Sequence, residues 1–319
     1  MLAERRISGR YRLVRRIGAG GMGQIFEAID ERLDRAVALK LLLPGNQAAS
    51  ARTRMVREAR AAASLQHPGI VIVHDVGETE GGGVFIAMEL VRGRSLREAA
   101  QEAPANDVLE WVVEVARTLA TVHANGFVHR DVKPDNVMVR DGGRTVLLDL
   151  GLTKALESVA EQADAALRVT DTGEVLGSPA YLAPEQARGL RVDGRADQWA
   201  LAVSAYELLS GQLPWAGDSH AVVLACILMD PPRPLQCASL PPELGSVLER
   251  ALAKDPSKRF RSCAAFADAL ETTIQADRPA LQDVNPRRGA GRRKHVGWTS
   301  VAVASVVAAS IGVAWLTRC

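Results

Sequence analysis

Apolar and polar residues alternate through Arg10–Gly18 (RYRLVRRIG), and short apolar runs recur at Gln24–Asp30, Ala36–Leu42 and Gly83–Leu90. Runs of this length bounded by Gly, Asp and Pro predict β-strands. One helix interrupts them, because Met55, Val56, Ala59, Ala62 and Ala63 repeat at helical spacing within Thr53–Leu65. After Gly93 the period changes. Val108–Asn125, Ala196–Ser210, His220–Met229, Leu244–Lys254 and Cys263–Gln275 predict helices, with strands only at Asn136–Val139 and Thr145–Leu150. No internal repeat is present. A small β-rich lobe followed by a larger helical lobe is an α+β, two-lobed architecture, jointed near Glu89–Gly93.

A third kind of pattern closes the chain. Val296–Leu316 contains 21 consecutive residues without a charge, enough for a helix of roughly 31 Å, which matches a hydrocarbon layer of about 30 Å. Trp298 and Trp315 stand near its ends, where interfacial aromatics belong. Arg287–Lys294 (RRGAGRRK) places five positive charges before it, and Arg318 stands alone beyond. The expectation is one transmembrane helix, with everything before Val296 cytoplasmic. A buried core helix is the bland alternative, disfavoured by the lack of a polar face. Ser300, Ala304, Ala308 and Gly312 recur every four residues, a small-residue strip that would suit a homodimer within the bilayer.

The composition of 47% hydrophobic and 24% charged residues is that of a packed globular chain. The formal charge of +2 conceals a division. Val284–Cys319 has six basic residues and no acid, leaving 33 basic against 37 acidic residues in the remainder. A mildly acidic body argues against nucleic acid as a partner. Cys226, Cys237, Cys263 and Cys319 form no metal-ligand spacing and no disulfide framework, so the first three read as small buried thiols. No secretory signal is expected at the N-terminus, since Met1–Arg16 carries six Arg before any apolar run.

Three motifs carry chemistry. The first is Ile17-Gly18-Ala19-Gly20-Gly21-Met22-Gly23-Gln24-Ile25. Alone, such a glycine run fits a dinucleotide site or a turn, but a strand rather than a helix follows it. It reads as a hairpin loop whose N–H groups can cover a triphosphate. Next comes Lys40 on an apolar strand, which is a surface lysine unless a carboxylate such as Glu58 and phosphate oxygens meet it. The third is His129-Arg130-Asp131-Val132-Lys133-Pro134-Asp135-Asn136, followed after a strand by Asp149-Leu150-Gly151. A carboxylate to take a hydroxyl proton, a cation and oxygen ligands for Mg²⁺ are the groups phosphoryl transfer requires.

In this order the motifs resemble the eukaryotic-like (Hanks-type) serine/threonine protein kinases in their bacterial membrane-bound form, from about Tyr11 to about Ile274. The resemblance implies ATP and Mg²⁺ (Mn²⁺ as the alternative) as cofactors and proteins bearing Ser or Thr as substrates. It makes Asp131 the catalytic base and Lys133 the residue that steadies the γ-phosphate. Asn136 and Asp149 become the metal ligands, and Lys40 with Glu58 the pair that positions the α- and β-phosphates. Met88 would be the gatekeeper and Glu89–Val91 the adenine hinge. Gly177–Glu185 (GSPAYLAPE) would dock substrate, with Glu185 paired to Arg259 and Asp197 anchoring the catalytic loop. Thr170 and Thr172 would be autophosphorylated, giving Arg130, expected to be buried, its anion. The implied organisation is a tail (1–10), a kinase domain (11–274, lobes 11–91 and 92–274), a basic linker (275–295), the span (296–316) and an exterior tail (317–319), with no external sensor.

The chain departs from the pattern at DLG instead of DFG, at Ser178 for the usual Thr, and at Ala202 in place of a common Gly. The Ala-rich insert Glu157–Leu167 has no derivable role. Two other readings remain. A pseudokinase scaffold is disfavoured because Lys40, Asp131 and Asn136 are all present. A small-molecule phosphotransferase is disfavoured by Lys133 and the Ala183-Pro184-Glu185 segment.

Overall fold

The computed structural model describes residues 5–20, 23–42, 65–148, 179–235 and 241–277. The first lobe is a six-stranded antiparallel sheet in the order β1-β2-β3-β4-β6-β5. Its strands are β1 (Arg6–Ile7), β2 (Tyr11–Gly20), β3 (Gly23–Asp30), β4 (Arg35–Leu42), β5 (Val73–Glu78) and β6 (Val84–Glu89). Successive strand residues point to opposite faces, and both faces are apolar here. Tyr11, Leu13, Phe26, Val37, Leu39, Phe85 and Ala87 form a small cluster on one side. Ala38, Leu42, Val76, Val84, Ile86 and Met88 turn the other way, into the cluster that fills the second lobe. Lys40 shares the parity of Ala38 and Leu42, which aims it toward the space between the lobes. It is half-buried and lies in register with Ile25 and Ile86.

Backbone bonds stitch the lobes together. Leu147 N donates to Gly69 O and Val71 N to Leu147 O. Beyond the hinge lie β7 (Gly93–Ser95), α1 (Leu96–Ala100), α2 (Ala105–Ala124), β8 (Val137–Arg140) and β9 (Thr145–Leu147). A Cβ at Gly93, whose φ is +142°, would sit 2.1 Å from Val139 O, so only glycine permits this approach of β7 to β8. Helices α3 (Pro184–Ala187), α4 (Gly194–Ser210), α5 (His220–Met229), α6 (Pro242–Ala251) and α7 (Cys263–Asp277) complete the second lobe. Asp193 caps α4 through Arg195 N, and Gly211 in left-handed conformation ends it. Buried α4 packs with α2 and α7 around Trp199, Phe266, Leu119 and Leu201.

The two-lobed expectation stands, with changes at its edges. Helix α2 starts three residues before Val108, and α6 ends at Ala251 rather than Lys254. Strands β1, β5 and β7 were not expected. Cys263 is buried, whereas Cys226 is only half-buried. Among the described residues no helix is long and apolar enough to cross a membrane. The expected helix at Thr53–Leu65, apart from Leu65, and the segments at 278–295 and 296–316 lie outside the described residues.

Candidate active site

The catalytic loop hangs from one buried carboxylate. Asp197, in the first turn of α4, accepts His129 N (2.7 Å, Oδ2) and Arg130 N (2.7 Å, Oδ1). Its Oδ2 also lies 2.8 Å from His123 Nε2 of α2. Three partners offset the desolvation of a side chain that is almost wholly buried. For adjacent amides to reach one carboxylate the chain must bend sharply, and Arg130 adopts φ +65°. That conformation costs a non-glycine residue on the order of 1 kcal/mol or more, held here by the Asp197 bonds. Arg130 itself is half-buried, not buried as expected from the sequence.

His129 is fully buried. Its Nε2 lies 2.8 Å from Leu148 O and its Nδ1 accepts Asp131 N at 3.3 Å. One nitrogen donates and the other accepts, the pattern of a neutral imidazole holding two chain segments, which agrees with a structural role. Leu148 N in turn donates to Asn136 O at 2.8 Å. The last described residue before Asp149 is thus fixed at both its N–H and its C=O to the catalytic loop.

Asp131, Lys133 and Asn136 come together on this frame. Lys133 Nζ donates to Asp131 Oδ2 (3.1 Å), as does Asn136 Nδ2 (2.8 Å), which also donates to Asp131 O (2.7 Å). All three side chains are partly exposed, as groups that meet a substrate must be. With the amide of Asn136 committed to Asp131, its Oδ1 is the atom left for a cation. Hard oxygen donors of this kind suit Mg²⁺. No group of three His, Cys, Asp or Glu side chains among the described residues is placed to hold a metal.

Around this centre, Gly18, Ala19 and Gly20 pair in register with Ile25, Gln24 and Gly23. A register shift between Arg16 and Gly18 accompanies the exposure of Ile17. Gly23 has a packing reason of its own, since a Cβ there would lie 2.1 Å from Leu41 O. Met88 is buried at the end of β6 and Val91 is half-buried in the hinge. The Glu89 carboxylate grips Arg140 at 2.7 and 3.0 Å, which holds its pKa below the usual range and ties the hinge to β8. Glu185 and Arg259 form a bidentate pair of 2.7 and 2.8 Å. Gly21, Met22, Glu58, Asp149, Thr170, Thr172 and Ser178 lie outside the described residues.

Sequence reasoning missed His123, whose partner is 74 residues away and leaves no trace in spacing. It also missed the network of Arg97, Asp135, Tyr181 and Glu207. A charge two residues after a Ser with Glu at the next position (Ser95-Leu96-Arg97-Glu98) marks only a helix start.

The family profile described as "Protein kinase domain" matches residues 11–270. The chain is similar to serine/threonine-protein kinase PknA of Mycobacterium tuberculosis, with 38% identity over 291 residues, 89% of this chain and 65% of that protein. It is similar to PknD of the same organism at 40% identity, covering 84% of this chain and 40% of PknD. Serine/threonine-protein kinase pkn3 of Myxococcus xanthus is 38% identical over 89% of this chain and 53% of its own. The chain thus spans less than two thirds of the length of these relatives. A crystal structure of the Mycobacterium tuberculosis PknI kinase domain superposes with a TM-score of 0.67 at 34% identity, covering 86% of this chain and 98% of that one.

Proposed function

Because the chain belongs to the protein kinase domain family, we propose that it is an ATP-dependent serine/threonine protein kinase whose catalytic base is Asp131. The observation that carries the reading is the shared Asp131 carboxylate, held by Lys133 and Asn136 on a loop suspended from Asp197. In the proposed reaction the hydroxyl oxygen of a substrate Ser or Thr attacks the γ-phosphorus of ATP. The bond to the β-phosphate oxygen breaks, ADP leaves with that electron pair, and the hydroxyl proton passes to Asp131. Lys133 steadies the moving phosphoryl group. Lys40 and Glu58 place the α- and β-phosphates, while the 17–25 hairpin covers them and the 89–91 backbone holds adenine. Asn136 and Asp149 would hold a divalent cation, Mg²⁺ with Mn²⁺ as the alternative, which when bound neutralises phosphate charge. Ser178 and the segment to Glu185 would receive the substrate chain.

We further propose that Val296–Leu316 anchors the kinase domain to the cytoplasmic side of a bacterial inner membrane. The uncharged run, its flanking Trp residues and the basic segment before it support this reading. The strip through Ala308 and Gly312 would pair two chains and favour phosphorylation in trans. The full chain should therefore sediment with membranes, and a chain ending at Gln275 should not.

The deciding experiment is incubation with radiolabelled ATP and a generic protein substrate. The full chain should transfer label, and Asp131→Asn should lose transfer while binding nucleotide nearly as before. Turnover by Asp131→Asn near that of the natural protein would overturn the assignment. Label on small molecules alone would favour the other phosphotransferase class.

A further inference from the structure

One arginine holds the hinge at both ends. Arg140, the last residue of β8, donates through Nη1 and Nη2 to the two carboxylate oxygens of Glu89 at 2.7 and 3.0 Å. Glu89 is the last residue of β6, where the chain leaves the first lobe. The backbone of Arg140 stands opposite Gly93 in the β7–β8 register, where the chain has entered the second lobe. A Cβ at Gly93 would lie 2.9 Å from Arg140 Cα, so the two backbones pack directly against each other. The side chain thus grips the entry to the hinge and the main chain its exit, with Leu90, Val91 and Arg92 spanning between them.

The clamp is built to keep one geometry. Both side chains are partly buried, and the two parallel bonds fix orientation as well as distance, which a lysine could not reproduce. His74 of β5 feels the same carboxylate, but burial lowers its pKa, so at neutral pH Arg140 is the cation that meets Glu89. Arg140 N donates to Arg144 O at 2.9 Å and Arg140 O accepts Gly143 N at 2.8 Å, so the residue cannot shift without the β8–β9 turn. The other end of β8 begins directly after Asn136, which donates to Asp131. From Asn136 to Arg140 the chain advances four residues, a strut of about 13 Å. Strands β7 and β9 pair with it on either side and stiffen it.

We propose that Arg140 is a positioning residue for the nucleotide: it clamps both ends of the 89–93 hinge onto β8 and so sets the height of the adenine-holding backbone above Asp131. The inference rests on the kinase reading above. Arg140 lies a full strand away from Asp131. The clamp therefore governs how tightly the cleft holds nucleotide and how fast ADP leaves, not the transfer of phosphate within the closed complex.

The test uses the full chain with Mg²⁺ and either ADP or ATP, and a generic protein substrate. Arg140→Met should weaken ADP binding about fivefold by isothermal titration calorimetry, the effect of losing one partly buried ion pair, and raise the KM for ATP by a similar factor. Under saturating ATP its kcat should not fall by more than about twofold, because uniform binding is lost and not transition-state binding. Arg140→Lys keeps the charge without the fork and should fall between the two. Glu89→Gln should weaken ADP binding to a similar extent, and Glu89→Gln/Arg140→Met no further, since either change opens the same clamp. If Arg140→Met loses its cooperative thermal transition, Arg140→Lys is measured in its place. An unchanged ADP affinity in Arg140→Met or its substitute would overturn the inference while leaving the kinase reading intact. So would a kcat that falls with the KM for ATP unchanged, or a double variant whose two losses multiply. A natural protein that binds ADP but transfers no phosphate would overturn the kinase reading alone, since the ADP affinities still report the clamp. One that binds neither nucleotide would overturn both.

Discussion

Replacing Arg259 by methionine removes the cation from a pair whose side chains are 0% and 6% exposed. Glu185 would then be a buried carboxylate without its two guanidinium bonds. Breaking a buried pair by removing one partner costs roughly 3–5 kcal/mol. Arg259 does more than balance that charge. Its Nε donates to Ala253 O at 2.8 Å and its Nη1 to Arg195 O at 2.9 Å, and its guanidinium lies 4.9 Å from the centre of the Trp199 ring. Glu185→Gln should therefore cost less, about 1–3 kcal/mol, because the guanidinium retains backbone acceptors and an aromatic face. The double variant Glu185→Leu/Arg259→Met buries no charge and should recover at least about 1 kcal/mol relative to Arg259→Met alone. At about 2–4 °C per kcal/mol, Arg259→Met should lower Tm by roughly 6–20 °C. Denaturant unfolding of the natural protein, Arg259→Met, Glu185→Gln, Glu185→Leu and the double variant Glu185→Leu/Arg259→Met measures these costs and closes the cycle. A cost below about 1 kcal/mol for Arg259→Met, or a larger cost for Glu185→Gln, would refute the reasoning.

A Cβ at Gly194 would lie 2.4 Å from His123 Nδ1. Gly194→Ala should push His123 off Asp197 and lower stability by about 1–3 kcal/mol. Adding His123→Ala should relieve most of that loss, and strictly additive melting shifts would contradict the coupling. Burial lowers the Lys254 pKa to about 8, although its Nζ also donates to Ile227 O and lies 4.1 Å from the Trp215 ring centre. The folded state then binds fewer protons than the unfolded chain between that value and the ordinary lysine value of about 10.4, so stability should rise with pH across that window. Equilibrium unfolding at pH 7.5, 9 and 10 measures the rise, which Lys254→Met should lack. Mass spectrometry should find phosphate on Thr170, Thr172 or both, where its charge can meet Arg130. An unmodified yet fully active enzyme would end that idea.

Apolar periodicity gave α5 its observed limits, because Ser219 caps it and its interior is continuous hydrocarbon. It placed the start of α2 three residues late, since Ala105-Asn106-Asp107 forms a turn with no apolar repeat and only Pro104 announces it. Strand β5 (VHDVGE) escaped notice because it does not alternate and contains Gly77, kept small by the Phe85 ring beneath it. Among functional groups, those confined to one loop were legible in the sequence, as with Asp131, Lys133 and Asn136. Contacts made across the fold were not, as with His123 on Asp197 or Arg97 on Glu207, because neither partner's neighbourhood in the chain signals the other. Glu185 and Arg259, though 74 positions apart, were paired through resemblance alone.

The two apolar clusters of the first lobe have a consequence for cooperativity. One cluster belongs to that lobe alone, but the other merges Ala38, Leu42, Val84, Ile86 and Met88 with Leu96, Leu109, Val112 and Leu147 of the second. A chain severed in the hinge after Val91 would expose half of the sheet's hydrophobic surface to water. Neither fragment retains the other wall of that cluster. The two lobes should therefore melt as a single unit, and separately expressed halves should gain order only on recombination.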